Sequence, residues 1–182
     1  MRMILLLGGL VLILAFAGCL RAPARADFAI ADGIIAANNK RLAKEGLECF
    51  GSGGAFPGTI RLISLSFNTK KYKFDSIEEA RIFICRLFRD YARPFNEEKR
   101  IRPYLYRFPV DTSMLELSVF FQDEAGCDCS PPYLAYVQCA YGQIRYCQYN
   151  SKTQGYVLVY QEPFDKGWRI AEGTTETARG SV

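Results

Sequence analysis

The segment SIEEARIFICRLFRDY, residues 76–91, constrains the fold of this chain more than any other. Ile77, Ala80, Phe83, Ile84, Leu87, Phe88 and Tyr91 recur at helical spacing and line one face, while Glu78, Glu79, Arg86, Arg89 and Asp90 take the other, with Ile82 the exception. Ser76 followed by Glu79 fits a capping box, in which the hydroxyl accepts from the Glu79 amide and the Glu79 carboxylate reaches back. Pro94 is expected to end the helix. A helix with one apolar stripe must be covered, and the rest of the chain supplies strands to cover it.

Around this helix the apolar period drops from 3.6 to 2. TIRLISLSF (59–67) alternates, with Arg61, Ile63, Leu65 and Phe67 on the more buried side, and LELSVFF (115–121) alternates in the same way. YLAYVQCAY and IRYCQY read as a hairpin turning near Gly142, and YVLVYQ follows a turn at Gly155. The expectation is one α+β domain over residues 27–171, an antiparallel sheet of about five strands with the Ser76 helix on one face. Residues 28–48 read as a second helix carrying Ile34, Ile35, Asn38 and Leu42 near one face, weakened by Gly33 and Gly46. GSGGAFPG (51–58) reads as a loop and lacks the Gly-Lys-Ser/Thr ending of a phosphate-binding loop. From residue 172 to 182 the chain is polar and reads as a disordered tail.

The N-terminus carries an address. Arg2 precedes 18 uncharged residues, Met3 to Leu20, in the order of a signal peptide. Phe16-Ala17-Gly18-Cys19 resembles a bacterial lipobox, with Phe where Leu is usual; cleavage there removes residues 1–18 and makes Cys19 the acylated N-terminus. Ala24-Arg25-Ala26 offers a second site that removes residues 1–26 and releases a soluble protein starting at Asp27. An uncleaved anchor is the third reading, because 18 residues can just span a bilayer. Arg21, Arg25, Lys40 and Arg41 then favour a cytoplasmic domain. The glycines and the small residues before the cleavage sites favour processing and export.

Charge and cysteine usage narrow the partners. The formal charge of +4 falls to +1 for a chain starting at Asp27, since Arg2, Arg21 and Arg25 are lost and all 19 acidic residues remain. Nucleic acid is therefore not an expected partner. Either processing route removes Cys19 from the seven thiols and leaves Cys49, Cys85, Cys127, Cys129, Cys139 and Cys147. Six is the number that three disulfides in an oxidising compartment require, and all six are disulfide candidates. A Cys139–Cys147 bridge across the hairpin is conditional. A two-residue turn at Gly142-Gln143 points the two cysteines to opposite faces, whereas a three-residue turn sets them opposite one another. The chain has no histidine, no second close cysteine pair with zinc-site spacing, no C-x-x-C and no expected βαβ context. No metal or cofactor is therefore expected.

An enzyme here must work with carboxylates, Lys, Tyr, Ser or Cys, and QDEAGCDC, with Asp123, Glu124, Asp128, Cys127 and Cys129, is the one dense group. Seven of the eleven tyrosines fall between Tyr133 and Tyr160. Most of them suit half-buried strands, and an exposed pair such as Tyr136 and Tyr149 is the candidate binding surface. Catalysis predicts an enclosed pocket with converging polar groups at 123–129; a binding module predicts an exposed aromatic face and no pocket there.

Residues 99–109 interleave Lys99, Arg100, Arg102 and Arg107 with Tyr104, Tyr106 and Phe108, and their two prolines favour an extended connector over a base-stacking surface. Within it, Ile101, Arg102, Pro103, Tyr104, Leu105, Phe108 and Pro109 resemble the I-R-P-Y-L-x-x-[YF]-P segment of a group of small exported bacterial proteins of uncharacterised function. The likeness runs over roughly residues 76–160, with the strand at Leu115 to Phe121 and the glycine-containing hairpin in the corresponding places. It implies an exported α+β domain and brings no catalytic or binding residues; the cysteines are an addition of this chain. The combined expectation is a non-catalytic cell-envelope protein that binds an unidentified envelope protein or ligand, membrane-bound through lipid if Cys19 is acylated. An exported enzyme using the 123–129 loop and a cytoplasm-facing anchored protein are the alternatives.

Overall fold

The computed structural model describes residues 26–56 and 58–179, with side-chain environments from Phe28 to Gly173. Cys19 and the apolar run before it lie outside the described residues. The elements run α1 (Ala26–Lys44), β1 (Glu48–Ala55), β2 (Leu62–Thr69), α2 (Ile77–Glu97), a 3-10 turn (Lys99–Tyr104), β3 (Leu115–Phe121), β4 (Tyr136–Ala140), β5 (Gln143–Asn150), β6 (Gly155–Pro163) and α3 (Phe164–Arg179). The class is α+β. One sheet takes the strands in sequence order, β1 to β6, and the helices pack on a single face of it.

Two features of the sheet differ from expectation. Glu48–Ala55, which takes in the first five residues of the 51–58 stretch that reads as a loop, is a sixth strand. Its backbone pairs with β2 from Glu48↔Asn68 to Ala55↔Leu62, so the ladder forms although Gly51, Gly53 and Gly54 contribute no side chains. Second, β2 and β3 are parallel, from Ile63↔Leu115 to Thr69↔Phe121; the other four pairings are antiparallel. A parallel pair needs a long crossover, and α2 with the 3-10 turn is that crossover, making a βαβ unit.

Helix α2 begins as read. Ser76 is its N-cap; the hydroxyl accepts from the Glu79 amide (3.3 Å), the first half of the capping box, and donates to Glu78 Oε2 (3.0 Å). It continues through Pro94 to Glu97 because Phe95, fully buried and stacked on Tyr91 at 6.4 Å, holds the extra turn in the core. Tyr91 meets Phe67 of β2, and Phe83 meets Phe121 of β3. Helix α1 buries Ala31, Asn38 and Leu42, and Asn38 Nδ2 donates to the Tyr91 carbonyl at 3.3 Å. Gly46 closes α1 at φ +90°. Leu47 N donates to Leu42 O and Gly46 N to Ala43 O, a Schellman arrangement that also buries Leu42 and Leu47.

The chain beyond residue 171 differs as well. The polar stretch read as a tail from 172 prolongs α3 to Arg179. Phe164, Trp168 and Ala171 share one face of α3; Phe164 packs on Phe88 at 4.8 Å and Ala171 is buried. Gly167 lets α3 approach the sheet closely, since a Cβ there would meet Ile144 Cδ1 at 2.8 Å. The 99–109 segment is a connector as expected, but Lys99–Tyr104 coils as the 3-10 turn instead of running extended. Ile101 is buried, Leu105 bridges Ile60, and Arg61 and Arg102 lie over the rings of Tyr106 and Phe108.

Candidate functional site: the outer face of the sheet

The 123–129 loop is occupied with holding itself together. Asp123 Oδ1 accepts from Cys127 N (2.9 Å), Asp123 N donates to Cys127 O (2.8 Å), and Lys70 Nζ donates to the Glu124 carbonyl (3.0 Å). Asp128 Oδ2 accepts from the Tyr156 hydroxyl at 2.7 Å. Cys127 is exposed and Cys129 is buried, with burial pushing the Cys129 thiol up. Clefts of about 600 Å³, between Leu42, Tyr72 and Phe83, and about 470 Å³, between Ala92, Phe164 and Trp168, lie on the helix side, away from this loop. Among the described residues no group of three or more Cys, Asp or Glu side chains converges as a metal site.

The six cysteines expected to supply three disulfides are free thiols in the structure. The hairpin turns on Tyr141-Gly142, at φ 50° and 72°, one residue earlier than either turn considered above. Cys139 then opposes Ile144 inside the core, while Cys147 opposes Tyr136 on the other face, and the conditional bridge does not form. Cys85, on α2, is fully buried, and desolvation pushes its thiol up to about 12. Desolvation drives the Cys139 thiol upward as well. Cys49 lies under α1 and donates to the Gly51 carbonyl, with burial raising it.

The sheet face turned away from the helices is organised in bands that cross the strands. Register places Phe120 (β3), Tyr136 (β4), Cys147 (β5) and Leu158 (β6) in one row, and Tyr149 opposite Tyr156 in the next. A bulge between Cys49 and Gly51 lets Phe50 join them, 5.5 Å from Phe120. The rings are contiguous: Phe120–Tyr136 at 4.6 Å, Tyr136–Tyr156 at 5.4 Å and Tyr149–Tyr156 at 6.1 Å. Tyr136 and Tyr149, expected as an exposed pair, are both half-buried and are joined through Tyr156 into one surface. Phe50 is 60% exposed and Tyr156 42%, so the band opens to solvent at those two rings. Burial raises the Tyr136 phenol against the lowering effect of its Ser118 hydrogen bond; Tyr156 is raised by burial and then by Asp128.

Beside the aromatic band runs a polar one. Ser66, Ser118, Gln138, Arg145 and Gln161 share the next row, then Ser64 and Glu116. Ser118 Oγ bonds the Tyr136 hydroxyl (3.2 Å), Gln138 Nε2 donates to Ser118 Oγ (3.4 Å), and Arg145 Nη1 donates to Gln138 Oε1 (3.5 Å). Glu116 is 9% exposed, and its Oε1 is buried without a hydrogen-bond partner. Its carboxylate, by hydrogen bonding and charge, pushes the Tyr141 phenol up.

Sequence reasoning missed Phe50, Phe120, Tyr156 and the polar row. The alternation in LELSVFF sets Glu116, Ser118 and Phe120 on one face and was the available signal; Phe50 had none, because it depends on a bulge. Also missed is the buried triad on the other face. Arg81 Nε donates to Glu162 Oε1 at 2.6 Å, and the Tyr146 hydroxyl donates to the same oxygen at 2.9 Å. Its signal was a charge at an inward position of the α2 stripe.

No family model matches the chain, and no curated protein or solved structure is significantly similar to it.

Proposed function

We propose that this is an exported, non-catalytic binding domain of the bacterial cell envelope, which recognises its partner through the aromatic outer face of the sheet. One observation carries the reading: a contiguous band of Phe50, Phe120, Tyr136, Tyr156 and Tyr149 on the face opposite the helices. Aromatic rings that are exposed and already held by their neighbours give contact area at little entropic cost. The 123–129 loop favours binding over catalysis, since its Asp123 and Asp128 carboxylates are committed to loop and tyrosine hydrogen bonds.

Export is supported by Arg2, the Met3–Leu20 run and the Cys19 lipobox, and by the resemblance of residues 76–160 to small exported proteins. Tethering at Cys19 keeps the face available at the membrane surface, and release at Asp27 makes the same domain soluble. Both starts keep the core contacts of α1, which begin after Asp27.

A photoreactive phenylalanine analogue at position 50 or 156, expressed in cells, is expected to give a discrete cross-linked product that the same analogue at exposed Lys40 does not give. Equal patterns from all three positions sink the binding-face reading. Intact mass of the membrane and soluble fractions decides the address: a chain from Cys19 plus acyl groups, a chain from Asp27, or a full-length chain that overturns export.

A further inference from the structure

The face is built as two parallel bands, and we propose that its ligand is an uncharged glycan chain lying across the strands, stacked on the aromatic band and hydrogen-bonded by the polar band. This rests on the binding-face reading above and names the ligand class for it. Sugar rings have apolar C–H faces and a rim of hydroxyls that both donate and accept. Recognising them takes flat rings beside a mixed set of donors and acceptors. The aromatic band supplies Phe50, Tyr136 and Tyr156, and the adjacent rows supply the Glu116 carboxylate, the Ser118 hydroxyl, the Gln138 amide and the Arg145 guanidinium.

Three observations favour this occupant over others. Glu116 Oε1 is buried without a hydrogen-bond partner beside these rows, and a ligand hydroxyl there would supply the missing donor. Charge is the second: across these rows Glu48, Glu116 and Arg145 make a near-neutral set, without the basic track that a polyanion such as single-stranded nucleic acid requires. Third, the bands run perpendicular to the strands, so a bound chain meets a new side chain every strand spacing, about 4.8 Å, close to the length of one pyranose ring. A peptide added along a strand edge would instead use backbone groups and leave both bands idle. On the β1 side, Gly51 and Gly53 beside Ser66 and Ser64 leave the floor free of bulk.

The test uses the soluble protein starting at Asp27 on an array of neutral oligosaccharides that includes N-acetylglucosamine tetramers, with single-stranded DNA as the anionic control. The expected result is binding to neutral glycans that weakens roughly tenfold or more in Tyr156→Ala and in Glu116→Gln. Both variants are expected to stay folded with cooperative melts, and Lys40→Ala should bind like the parent. Absence of binding to every neutral glycan overturns the ligand class, as does binding that survives both substitutions. If the array is silent while the position-156 analogue still cross-links to a protein in cells, the glycan reading falls and the binding face stands. If neither occurs, both fall.

Discussion

The two faces of the sheet are written by the same alternation and end in opposite states. On the helix side Ile63, Leu65, Phe67, Leu117, Val119, Phe121 and Tyr146 are fully buried. The buried charged pair there, Arg81 and Glu162, is 7% and 1% exposed at the side chain and is shared with the Tyr146 hydroxyl. On the outer side rings of the same kind touch one another, with Phe50 and Tyr156 exposed and Phe120, Tyr136 and Tyr149 half-buried, and the carboxylate of Glu116 keeps an unpartnered oxygen. Each side keeps a buried carboxylate oxygen without a hydrogen-bond partner, Glu162 Oε2 within the core and Glu116 Oε1 beside the outer rings; only the second lies on the open face, where residues are not accounted for by packing alone.

The sharpest way to break this contrast is a charge on the helix side. Phe88 is 6% exposed and packs on Phe164 of α3. Phe88→Asp should cost about 4 kcal/mol or more, from the lost ring and the buried carboxylate, and leave the domain unfolded at room temperature. A soluble variant with a native-like urea transition would show that the helix-side packing has been misassigned.

Next in size is the buried pair. Arg81→Met strands the Glu162 carboxylate and should cost roughly 3–5 kcal/mol. Arg81→Met combined with Glu162→Leu should recover most of that, falling short by about 1–2 kcal/mol because the Tyr146 hydroxyl loses its acceptor. Urea melts of the parent, Arg81→Met, Glu162→Leu and the double variant form a double-mutant cycle. Additive losses would mean that the pair is not the unit the geometry makes it.

Thiol chemistry separates the faces without changing a residue. Burial raises the Cys85 thiol to about 12, and it raises Cys139 and the Tyr146 phenol further. Groups whose folded values lie above their unfolded ones contribute stability that is intact below the unfolded values. That stability drains away as pH climbs through the folded values. Stability should therefore hold up to about pH 9 and fall steadily toward pH 12. In reduced protein at neutral pH, alkylation followed by mass should modify Cys127 at once and reach Cys85 and Cys139 only on unfolding. Equal rates would dissolve the distinction between core and surface.

How far the sequence carried differs between elements for physical reasons. The α2 stripe and the Ser76 cap were readable because their spacing is local. The strands from 62 to 160 were readable because their faces differ in polarity. β1 was not, since glycines give no face to read and only pairing with β2 makes them a strand. Helix α2 was expected to stop before Pro94, but the burial of Phe95 is a tertiary matter. Tyr136 and Tyr149 were chosen by composition, but their union through Tyr156 depends on the β5–β6 register and its bulge at Tyr146/Cys147. The Arg81–Glu162 contact joins residues 81 positions apart. A charge inside an apolar stripe hints that a partner exists without saying where it is.

The smallest expected effect sharpens the comparison most, because it sets two tyrosines of one sheet against each other. Tyr146→Phe removes a hydroxyl from a fully buried site and leaves Glu162 with one fewer donor, at about 1–3 kcal/mol. Tyr156→Ala deletes a whole ring, yet that ring is 42% exposed and its hydrogen bond to Asp128 is at the surface. Its loss should cost about 1 kcal/mol or less, measured by the same urea melts. The larger deletion having the smaller cost is what a surface held for recognition requires. If Tyr156→Ala destabilises the domain as much as Tyr146→Phe, the outer rings are a second core. Their exposure would then give no support to a binding face.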